Sequence, residues 1–240
     1  MKNHKAIGIL GGMGPQATVL LQQRLIDSIE AEDDSAHVPL LIDMNPQVPS
    51  RLDWILENRG FNPGEVLAQM AKRLEGAGAE ALVMPCNTAH YFAPCIKEAV
   101  QIPFLDMVQL SAKRVSGIIG ARGRVGILAS PATQQIGLFK QAFDTFDIDT
   151  LYPPQMDKLL ACIRRIKAAG PSQRDCEELL EARDACVKLG ADCVIIGCSE
   201  FSLVTDSLQG DMLVVDTLEV LVAEMISVAC DEADVNVKLL

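Results

Sequence analysis

Two cysteines occupy matching places in this sequence, each directly after a short apolar run. Cys86 follows "EALVMP" and precedes "NTAH", and Cys198 follows "DCVIIG" and precedes "SEF". A thiolate can accept a proton and a thiol can donate one. Two thiols on opposite walls of a cleft could therefore invert a carbon centre, one removing the α-proton and the other delivering a proton to the opposite face.

The alternative for either cysteine is ordinary core packing, since free cysteine is among the most buried residue types. Matching positions in similar halves favour a shared chemical role for Cys86 and Cys198. The remaining cysteines of the eight lack this context, and we interpret them as structural.

The composition indicates a soluble globular protein. The chain has 240 residues, 49% hydrophobic content and a net charge of −11. So acidic a surface argues against a nucleic-acid or anionic-membrane partner. No apolar stretch is long enough to span a bilayer, and glycines interrupt the first apolar run too early for a signal peptide. We therefore expect a reduced, cytoplasmic protein.

Short apolar runs alternate with amphipathic segments, a pattern typical of α/β proteins with parallel sheets. The predicted strands are Ala6–Leu10, Val38–Asp43, Ala81–Met84, Pro103–Asp106, Arg124–Ala129, Ile148–Leu151, Cys193–Ile196 and Met212–Val215. The predicted helices include Gln16–Glu30, Pro63–Glu75, Ala132–Phe143, Gln173–Lys188 and Leu218–Ala229.

The chain also repeats itself. "IGILGGMGPQAT" resembles "VGILASPATQQI", "GAEALVMPC" resembles "GADCVIIGC", and "IPFLDMVQL" resembles "MLVVDTLEV", in the same order in both halves. This predicts two similar lobes related by a pseudo-twofold axis, each a mostly parallel four-stranded sheet flanked by helices. Ligands collect at the carboxyl ends of parallel strands, so the site should lie in the cleft between the lobes.

Both cysteines fall where a strand ends and a helix is predicted to begin. The free N–H groups and partial positive charge of a helix N-terminus favour a thiolate, so we expect lowered thiol pKa values. Asn87 and Thr88, or Ser199, can cap these helices or donate hydrogen bonds to a ligand.

The segment "GMGPQA" (Gly12–Ala17) matches G-x-G-x-x-A after a strand, as in dinucleotide-binding proteins, and Asp43 ends the next predicted strand. Two other interpretations compete. The loop can receive a carboxylate on its backbone N–H groups, or it can be a tight strand-to-helix turn.

Three charged side chains are candidates for the site. Arg51, at the end of "NPQVPSR", could hold a carboxylate bidentately or lie on the surface. Lys167 belongs to a local basic cluster that could face the cleft or end a helix. Nothing marks Lys167 as a pyridoxal phosphate lysine, so we expect no cofactor. Glu200 could be a first-turn helix acid or could meet a substrate ammonium.

Cys86, His90 and Cys95 have a short spacing of the kind seen among zinc ligands. No second half of a zinc site follows, so we expect no metal. A helix-face histidine is the favoured interpretation of His90.

Taken together, "GILGGMGP", "NPQVPSR", "MPCNTAH", the lysine of "IKAAG" and "GCSE" make the chain resemble the aspartate/glutamate racemase family over nearly its whole length. The cofactor-independent aspartate racemases are the most similar branch. The resemblance implies a homodimer and Cys86 and Cys198 as the acid/base pair. The substrate-binding residues that it implies are Met13, Gln47, Arg51, Asn87, Thr88, Lys167, Ser199 and Glu200.

The resemblance also implies that the lobes exchange segments. One lobe would comprise residues 1–104 plus 212–240 and the other residues 105–211, with the strand near Met212 and the final helix returning to the first lobe. The sequence departs from the family at Ser199, which is more often threonine, and at Glu200, where glutamate racemases usually have histidine.

Three functions remain open. The first is interconversion of L- and D-aspartate, since two cations suit a dicarboxylate. The second keeps the family but changes the reaction: racemisation of glutamate or several amino acids, or cis–trans isomerisation of a dicarboxylate such as maleate. The third is a bilobal protein that binds an acidic metabolite without turning it over. Intact cysteines at both positions argue against the third.

Overall fold

Two parallel β-sheets form the core of the protein. A computed structural model describes residues 4–31, 33–208, 210–230 and 236–237. The first sheet has the order β3-β1-β4, from Leu40–Met44, Ile7–Gly11 and Ala81–Val83. The second has the order β6-β5-β7-β8, from Asp149–Leu151, Arg124–Leu128, Cys193–Ile196 and Val214–Asp216. A short antiparallel pair joins β2 (Ile29–Glu30) and β9 (Asn236–Val237).

Helices flank both sheets. In chain order they are α1 (Pro15–Asp27), α2 (Arg51–Glu57), α3 (Pro63–Gly76), α4 (Ala93–Ala99), α5 (Met107–Ile119), α6 (Pro131–Gln135), α7 (Leu138–Asp144), α8 (Met156–Ala169), α9 (Gln173–Lys188) and α10 (Thr217–Ala229). Short 3-10 helices span Asp34–Ala36, Thr88–Phe92 and Phe201–Leu208. Within the described residues, no helix is both long and apolar enough to cross a membrane.

The predicted duplication is visible in the strand order. A parallel bridge between Leu82 and Phe104 adds a fourth position to the first sheet, beside β4. The order β3-β1-β4-Phe104 then matches β6-β5-β7-β8. The α/β fold with two parallel sheets is therefore as predicted, although the fourth position of the first sheet is a single bridge rather than a full strand.

The third repeated segment has a physical reason for its shared aspartate. Asp106 caps α5 by accepting a hydrogen bond from the Gln109 N–H, and Asp216 caps α10 by accepting one from the Leu218 N–H. A carboxylate at the N-cap satisfies N–H groups that have no partner inside the helix. The same residue thus starts the corresponding helix in each half.

The helix α10 packs on the first lobe. Its Leu218, Leu221 and Met225 share a buried cluster with Ile7 and Leu25. The strand that precedes α10 belongs instead to the second sheet. This strand, β8, pairs with β7, and Ile195 lies opposite Val215. The prediction that the strand near Met212 joins the first lobe is therefore wrong, because its hydrogen bonds are made to β7. The division of the whole chain into lobes stays a prediction.

One predicted helix is broken. Instead of a single helix over Ala132–Phe143, α6 and α7 are separated at Gly137, which has a φ of 64°. A left-handed residue interrupts the helical hydrogen-bond pattern, and glycine adopts that conformation without steric penalty.

Candidate active site

A small polar cavity lies between the two lobes, with a volume of about 40 Å³. Residues that follow strands of both sheets line it, together with the start of α2 and the end of α8. The lining residues are Ser50, Arg51, Leu52, Cys86, Asn87, Thr88, Ser130, Ile163, Lys167, Cys198, Ser199 and Glu200.

The strands position both cysteines. Cys86 comes shortly after β4 and Cys198 shortly after β7, and in each sheet this strand lies next to the one that starts the repeat. The carboxyl ends of parallel strands share one edge of a sheet, so equivalent turns in the two halves bring both thiols to the same cavity. Both thiols are buried and neither is in a disulfide.

The α-helices that were expected to begin at the two cysteines do not begin there. Short 3-10 helices, Thr88–Phe92 and Phe201–Leu208, follow the two cysteines. The second has non-helical geometry at Val204. Neither cysteine is therefore followed directly by the α-helix that the prediction assumed.

Cys198 is held as a thiol by its surroundings. Its Sγ donates a hydrogen bond to Glu200 Oε2 over 3.0 Å. Burial raises the pKa of Cys198 well above its ordinary value, and the negative charge of Glu200 and this hydrogen bond raise it further. The predicted lowering of the pKa is therefore wrong for Cys198, because desolvation and an adjacent carboxylate disfavour the thiolate.

Glu200 also forms an ion pair with Lys167, which lines the cavity. Its Oε1 lies 3.3 Å from Lys167 Nζ, and its side chain is only 8% exposed. Burial alone would lower the pKa of Lys167, but the charge of Glu200, followed by Cys86 and Cys198, raises it. Lys167 is thus a stable cation close to both thiols, while Glu200 connects it to Cys198.

Arg51 enters the cavity from the first residue of α2. The Ser50 side chain caps this helix by accepting a hydrogen bond from the Asp53 N–H. Arg51 Nη1 donates to the carbonyl oxygens of Val48 and Pro49, at 3.1 and 2.9 Å. Its Nε is buried and has no hydrogen-bond partner. A buried donor without a partner is costly, so a carboxylate would be well placed to satisfy it.

Asn87 and Thr88, the small polar residues after Cys86, are each held by a hydrogen bond. Asn87 Nδ2 donates to Thr217 Oγ1 over 3.0 Å. Thr88 Oγ1 and Ser130 Oγ share a hydrogen bond of 3.2 Å. Ser199 is 1% exposed and lines the cavity. Hydroxyl and amide groups that are held this way present a preorganised polar surface to a ligand.

Two residues implied by the family resemblance lie outside the cavity lining. Met13 is buried in an apolar cluster that includes Leu10 and Val48. Gln47 is exposed, and its backbone N–H donates to Asn45 Oδ1. Both lie near the loops that carry the site, but neither is among the residues that form its wall.

Sequence reasoning missed four residues of the wall: Ser50, Leu52, Ser130 and Ile163. A signal existed for two of them. In the aligned repeats Ser130 corresponds to Gly12, so an equivalent loop position was available. Ile163 precedes Lys167 by one helical turn on α8, which places both on the same helix face. Ser50 and Leu52 flank Arg51 and carry no comparable pattern.

The glycine loop is explained by close backbone packing. Gly12 has a φ of 93°, and a Cβ there would lie 2.4 Å from the carbonyl carbon of Asn45. A Cβ on Gly14 would lie 3.4 Å from Glu200 Oε1, so the loop also borders the site. Asp43 pairs with Arg73, at 2.6 Å. These contacts favour the tight-turn interpretation over a dinucleotide fingerprint.

His90 connects the turn at Cys86 to the start of α5 through two hydrogen bonds. Its Nε2 accepts the Met107 N–H over 3.1 Å, so its Nδ1 carries the proton and donates to the Cys86 carbonyl oxygen over 2.9 Å. Burial lowers the pKa of His90, although Asp106 partly opposes this. The imidazole is therefore neutral, and neither ring nitrogen remains available for the zinc spacing considered above.

Within the described residues, one group of side chains has donor atoms close enough for a metal ion: Cys162, Asp175 and Glu178. Arg165 Nη2 contacts both carboxylates, at 2.8 and 2.5 Å. Asp175 also accepts hydrogen bonds from Ser172 at the start of α9. An arginine and a helix cap thus already occupy these oxygens.

The two parallel sheets, with a cavity between them, define a two-lobed α/β protein. Residues 10–225 match the family model "Asp/Glu/Hydantoin racemase". The chain therefore belongs to the Asp/Glu/hydantoin racemase family.

Individual relatives fall within the same family. The broad specificity amino-acid racemase RacX of Bacillus subtilis is 23% identical over 92% of this chain and 96% of its own length. A glutamate racemase of Pseudomonas aeruginosa is 32% identical over 74% of this chain and 72% of its own. The solved structure of Picrophilus torridus aspartate racemase has a TM-score of 0.83 at 26% identity, covering 98% of this chain and 96% of that one.

Proposed function

We propose that the protein interconverts L- and D-aspartate by proton transfer between its two cavity cysteines and the substrate, without a cofactor. The observation that carries this proposal is that Cys86 and Cys198, the equivalent cysteines of the two repeats, line one cavity together with Arg51 and Lys167. The cavity therefore combines two groups that can transfer a proton with two cations. A dicarboxylate with an exchangeable α-proton matches both.

In this mechanism the two thiols take opposite protonation states. The hydrogen bond to Glu200 and the raised pKa keep the proton on Cys198. The form that starts the reaction then has Cys86 as the thiolate base and Cys198 as the acid. Cys86 takes the α-proton from one face, Cys198 gives its proton to the other, and the enantiomer leaves with its configuration inverted.

The return reaction needs the opposite arrangement. Cys198 is then the thiolate, because it has given its proton to the substrate in the forward step, and Cys86 carries the proton that it removed. The position equivalent to Glu200 in the first repeat is Thr88, whose hydroxyl carries no charge. The carboxylate of Glu200 therefore makes the thiolate form of Cys198 less favourable, whereas the equivalent residue of the first repeat brings no charge.

The charges of the cavity suit the developing transition state. Removal of an α-proton moves negative charge onto the α-carboxylate, and fixed cations and N–H donors that are already in place stabilise it. Arg51 and Lys167 supply the cations, and the unpartnered Nε of Arg51 supplies a buried donor. We assign the two substrate carboxylates to these side chains.

Substrate entry must change the contact between Glu200 and Lys167. A volume of about 40 Å³ holds roughly three water molecules, which is less than an amino acid requires. A substrate carboxylate that approaches Lys167 competes with Glu200, which carries the same charge. We therefore expect Glu200 to move off Lys167 when substrate binds, which widens the cavity and exposes a carboxylate to the substrate ammonium.

We also propose that the protein acts as a homodimer in the cytoplasm, as the resemblance to the racemases implies. Sedimentation at micromolar concentrations measures this: a mass near twice that of one 25.9 kDa chain supports the dimer, and a mass of one chain refutes it.

A different substrate within the family is the main alternative. The named relatives include a broad-specificity amino-acid racemase and a glutamate racemase, so glutamate or several amino acids are favoured by an observation of their own. A maleate-type isomerase would use one cysteine as a nucleophile and form a covalent adduct. A non-catalytic binding protein would form no covalent adduct and would exchange no α-proton.

Proton NMR in deuterated, reducing buffer tests the proposal directly. We expect L-aspartate to lose its α-proton signal and to yield D-aspartate, and we expect Cys86→Ala and Cys198→Ala to abolish both changes. Cys176→Ala, a cysteine of α9 outside the cavity wall, is the matched control and should remain active. Faster exchange of L-glutamate than of L-aspartate would mean that glutamate is the preferred substrate. No exchange of either, in folded and reduced protein, would refute racemisation.

A further inference from the structure

The side chain of Thr217 connects the two sheets through its hydrogen bonds. Thr217 is the first residue of α10, directly after β8, so it lies where the chain passes from the second sheet to the core of the first lobe. Its side chain is fully buried. It hydrogen-bonds to one residue associated with each sheet: Asn87, which follows β4, and Ile196, which ends β7.

The hydroxyl of Thr217 has a single proton, and this fixes the direction of both hydrogen bonds. The hydroxyl donates that proton to the Ile196 carbonyl oxygen over 2.9 Å. Towards Asn87 it can then only accept, so the Asn87 side chain must present its Nδ2 to Thr217. Turning the amide over would require Thr217 to give up its bond to Ile196.

This orientation determines the surroundings of the other polar atom of the Asn87 amide, Oδ1. Oδ1 is buried and has no hydrogen-bond partner, while Asn87 forms part of the cavity wall. A buried acceptor without a donor is unfavourable by about 1–3 kcal/mol, so this oxygen is suited to a ligand that brings its own N–H groups. In a cavity where Arg51 and Lys167 are donors only, the acceptor must serve a different part of the ligand.

We propose that Thr217 is a positioning residue that turns the Asn87 carbonyl oxygen towards the substrate ammonium. This inference rests on the proposed function, since it assigns the ammonium of the same amino-acid substrate. The residues of the wall then have separate roles: Arg51 and Lys167 bind the carboxylates, and Asn87 Oδ1 joins the Glu200 carboxylate as an acceptor for the ammonium. Without the Thr217 hydroxyl the amide is free to turn and to present its N–H groups, which repel an ammonium.

Calorimetric binding of two matched ligands tests this role. L-Aspartate carries the ammonium, and succinate is the same dicarboxylate without it. For Thr217→Val, which keeps the shape and removes the hydroxyl, we expect aspartate to bind about tenfold more weakly and succinate to bind as in the wild type. Thr217→Ser keeps the hydroxyl and should preserve both affinities. In steady-state kinetics the loss in Thr217→Val should fall mainly on KM.

A double-mutant cycle adds a readout that a merely structural role would not move. In an Asn87→Ala background there is no amide to orient, so Thr217→Val should no longer change the ratio of aspartate to succinate affinity. A persistent change in that background would overturn the role assigned to Thr217. So would an equal loss for both ligands in the single variant.

The amide can also be observed without Thr217→Val, should that variant not fold. With ¹⁵N-asparagine labelling of the wild type and of Thr217→Ser, the Asn87 side-chain N–H that bonds Thr217 should exchange slowly with solvent. Rapid exchange of both its N–H protons would overturn the inference. If the wild type binds succinate but not aspartate, the proposed function itself fails, and the exchange measurement still reports the orientation of the amide.

Discussion

The thiol of Cys198 donates a hydrogen bond to the carboxylate of Glu200, with Sγ 3.0 Å from Oε2. The same carboxylate lies 3.3 Å from the Lys167 ammonium through its other oxygen. The equivalent cysteine, Cys86, has Thr88 at the corresponding position. The two halves of the protein therefore present the same reactive group in unequal electrostatic surroundings, and the predictions below begin from that inequality.

The first prediction concerns Glu200→Gln. The charge of Glu200 raises the pKa of Cys198, so its removal should lower that pKa. In a profile of kcat/KM against pH, the high-pH limb reports loss of the proton from the acid thiol, and we expect this limb to move to lower pH. Glu200→Asp keeps the charge and should leave the limb near its original place.

Thermodynamics adds a check on Glu200→Gln. Because the equilibrium constant between enantiomers is one, kcat/KM must fall by the same factor for L- and D-aspartate. Because Glu200 bonds to Cys198, which is the acid for L-aspartate and the base for D-aspartate, its replacement should instead appear as unequal changes in the two kcat values. An unmoved high-pH limb with equal kcat changes would show that Glu200 does not act on Cys198.

The second prediction concerns Arg51. Its buried Nε has no partner in the protein, and a hydrogen bond to a charged group contributes about 1.5–3 kcal/mol. Arg51→Lys should therefore raise KM for aspartate by about ten- to a hundredfold, since a lysine cannot reproduce the bidentate geometry. Arg59→Gln, on the exposed segment after α2, is the control in the same kinetic assay and should change KM less than twofold. An unchanged KM in Arg51→Lys would remove Arg51 from the binding site.

The third prediction is a pH dependence of stability that depends on His90. Burial lowers its pKa in the folded protein, whereas the unfolded chain titrates near 6.5. Below that pH the unfolded state binds the extra proton, so the free energy of unfolding should fall by up to about 1.4 kcal/mol per pH unit. The fall ends once the pH has passed through the lower, folded pKa.

Urea unfolding of the wild type and of His90→Gln, at pH 7.5 and at pH 5.5, measures this effect. Glutamine keeps an acceptor for the Met107 N–H and does not titrate, so the difference between the two pH values should shrink in the variant. An equal difference in both proteins would mean that another group causes the acid sensitivity.

The fourth prediction compares two glycines with similar backbones. Gly12 and Gly60 have φ values of 93° and 89°, so both substitutions to alanine carry the strain of a left-handed residue. A Cβ on Gly12 would also overlap the Asn45 backbone, while a Cβ on Gly60 meets nothing within 4 Å. Gly12→Ala should therefore be at least about 2 kcal/mol more destabilising than Gly60→Ala in urea unfolding. Equal losses would mean that the loop gives way freely.

Much of the fold could be predicted because it depends on local pattern. The helix Gln173–Lys188 and the strand Cys193–Ile196 have the predicted bounds, since their apolar spacing and capping residues are explicit in the sequence. The similarity of the two sheets followed from the repeats. The sheet to which β8 belongs did not, because the choice between two similar strand edges depends on packing over the whole chain.

The site shows the same division. The approach of Cys86 and Cys198 followed from their places after equivalent strands, and the wall positions of Arg51 and Lys167 followed from the family resemblance. The raised pKa of Cys198 could not be predicted, because it depends on the burial of the thiol and on the direction in which the Glu200 side chain points. Met13 and Gln47 were carried over by motif, and neither is among the residues that line the cavity.

The central claim is that Cys86 and Cys198 act as separate acid and base on opposite faces of one carbon. Racemisation of L-aspartate in deuterium oxide, stopped below about a tenth of full conversion and analysed for deuterium in each enantiomer, tests it most directly. Two separate groups should place deuterium in nearly all of the D-aspartate formed and leave the remaining L-aspartate protonated, and D-aspartate as the starting material should give the mirror result. Early deuterium in the unreacted enantiomer, or D-aspartate that retains the original α-proton, would indicate a single base and contradict the account.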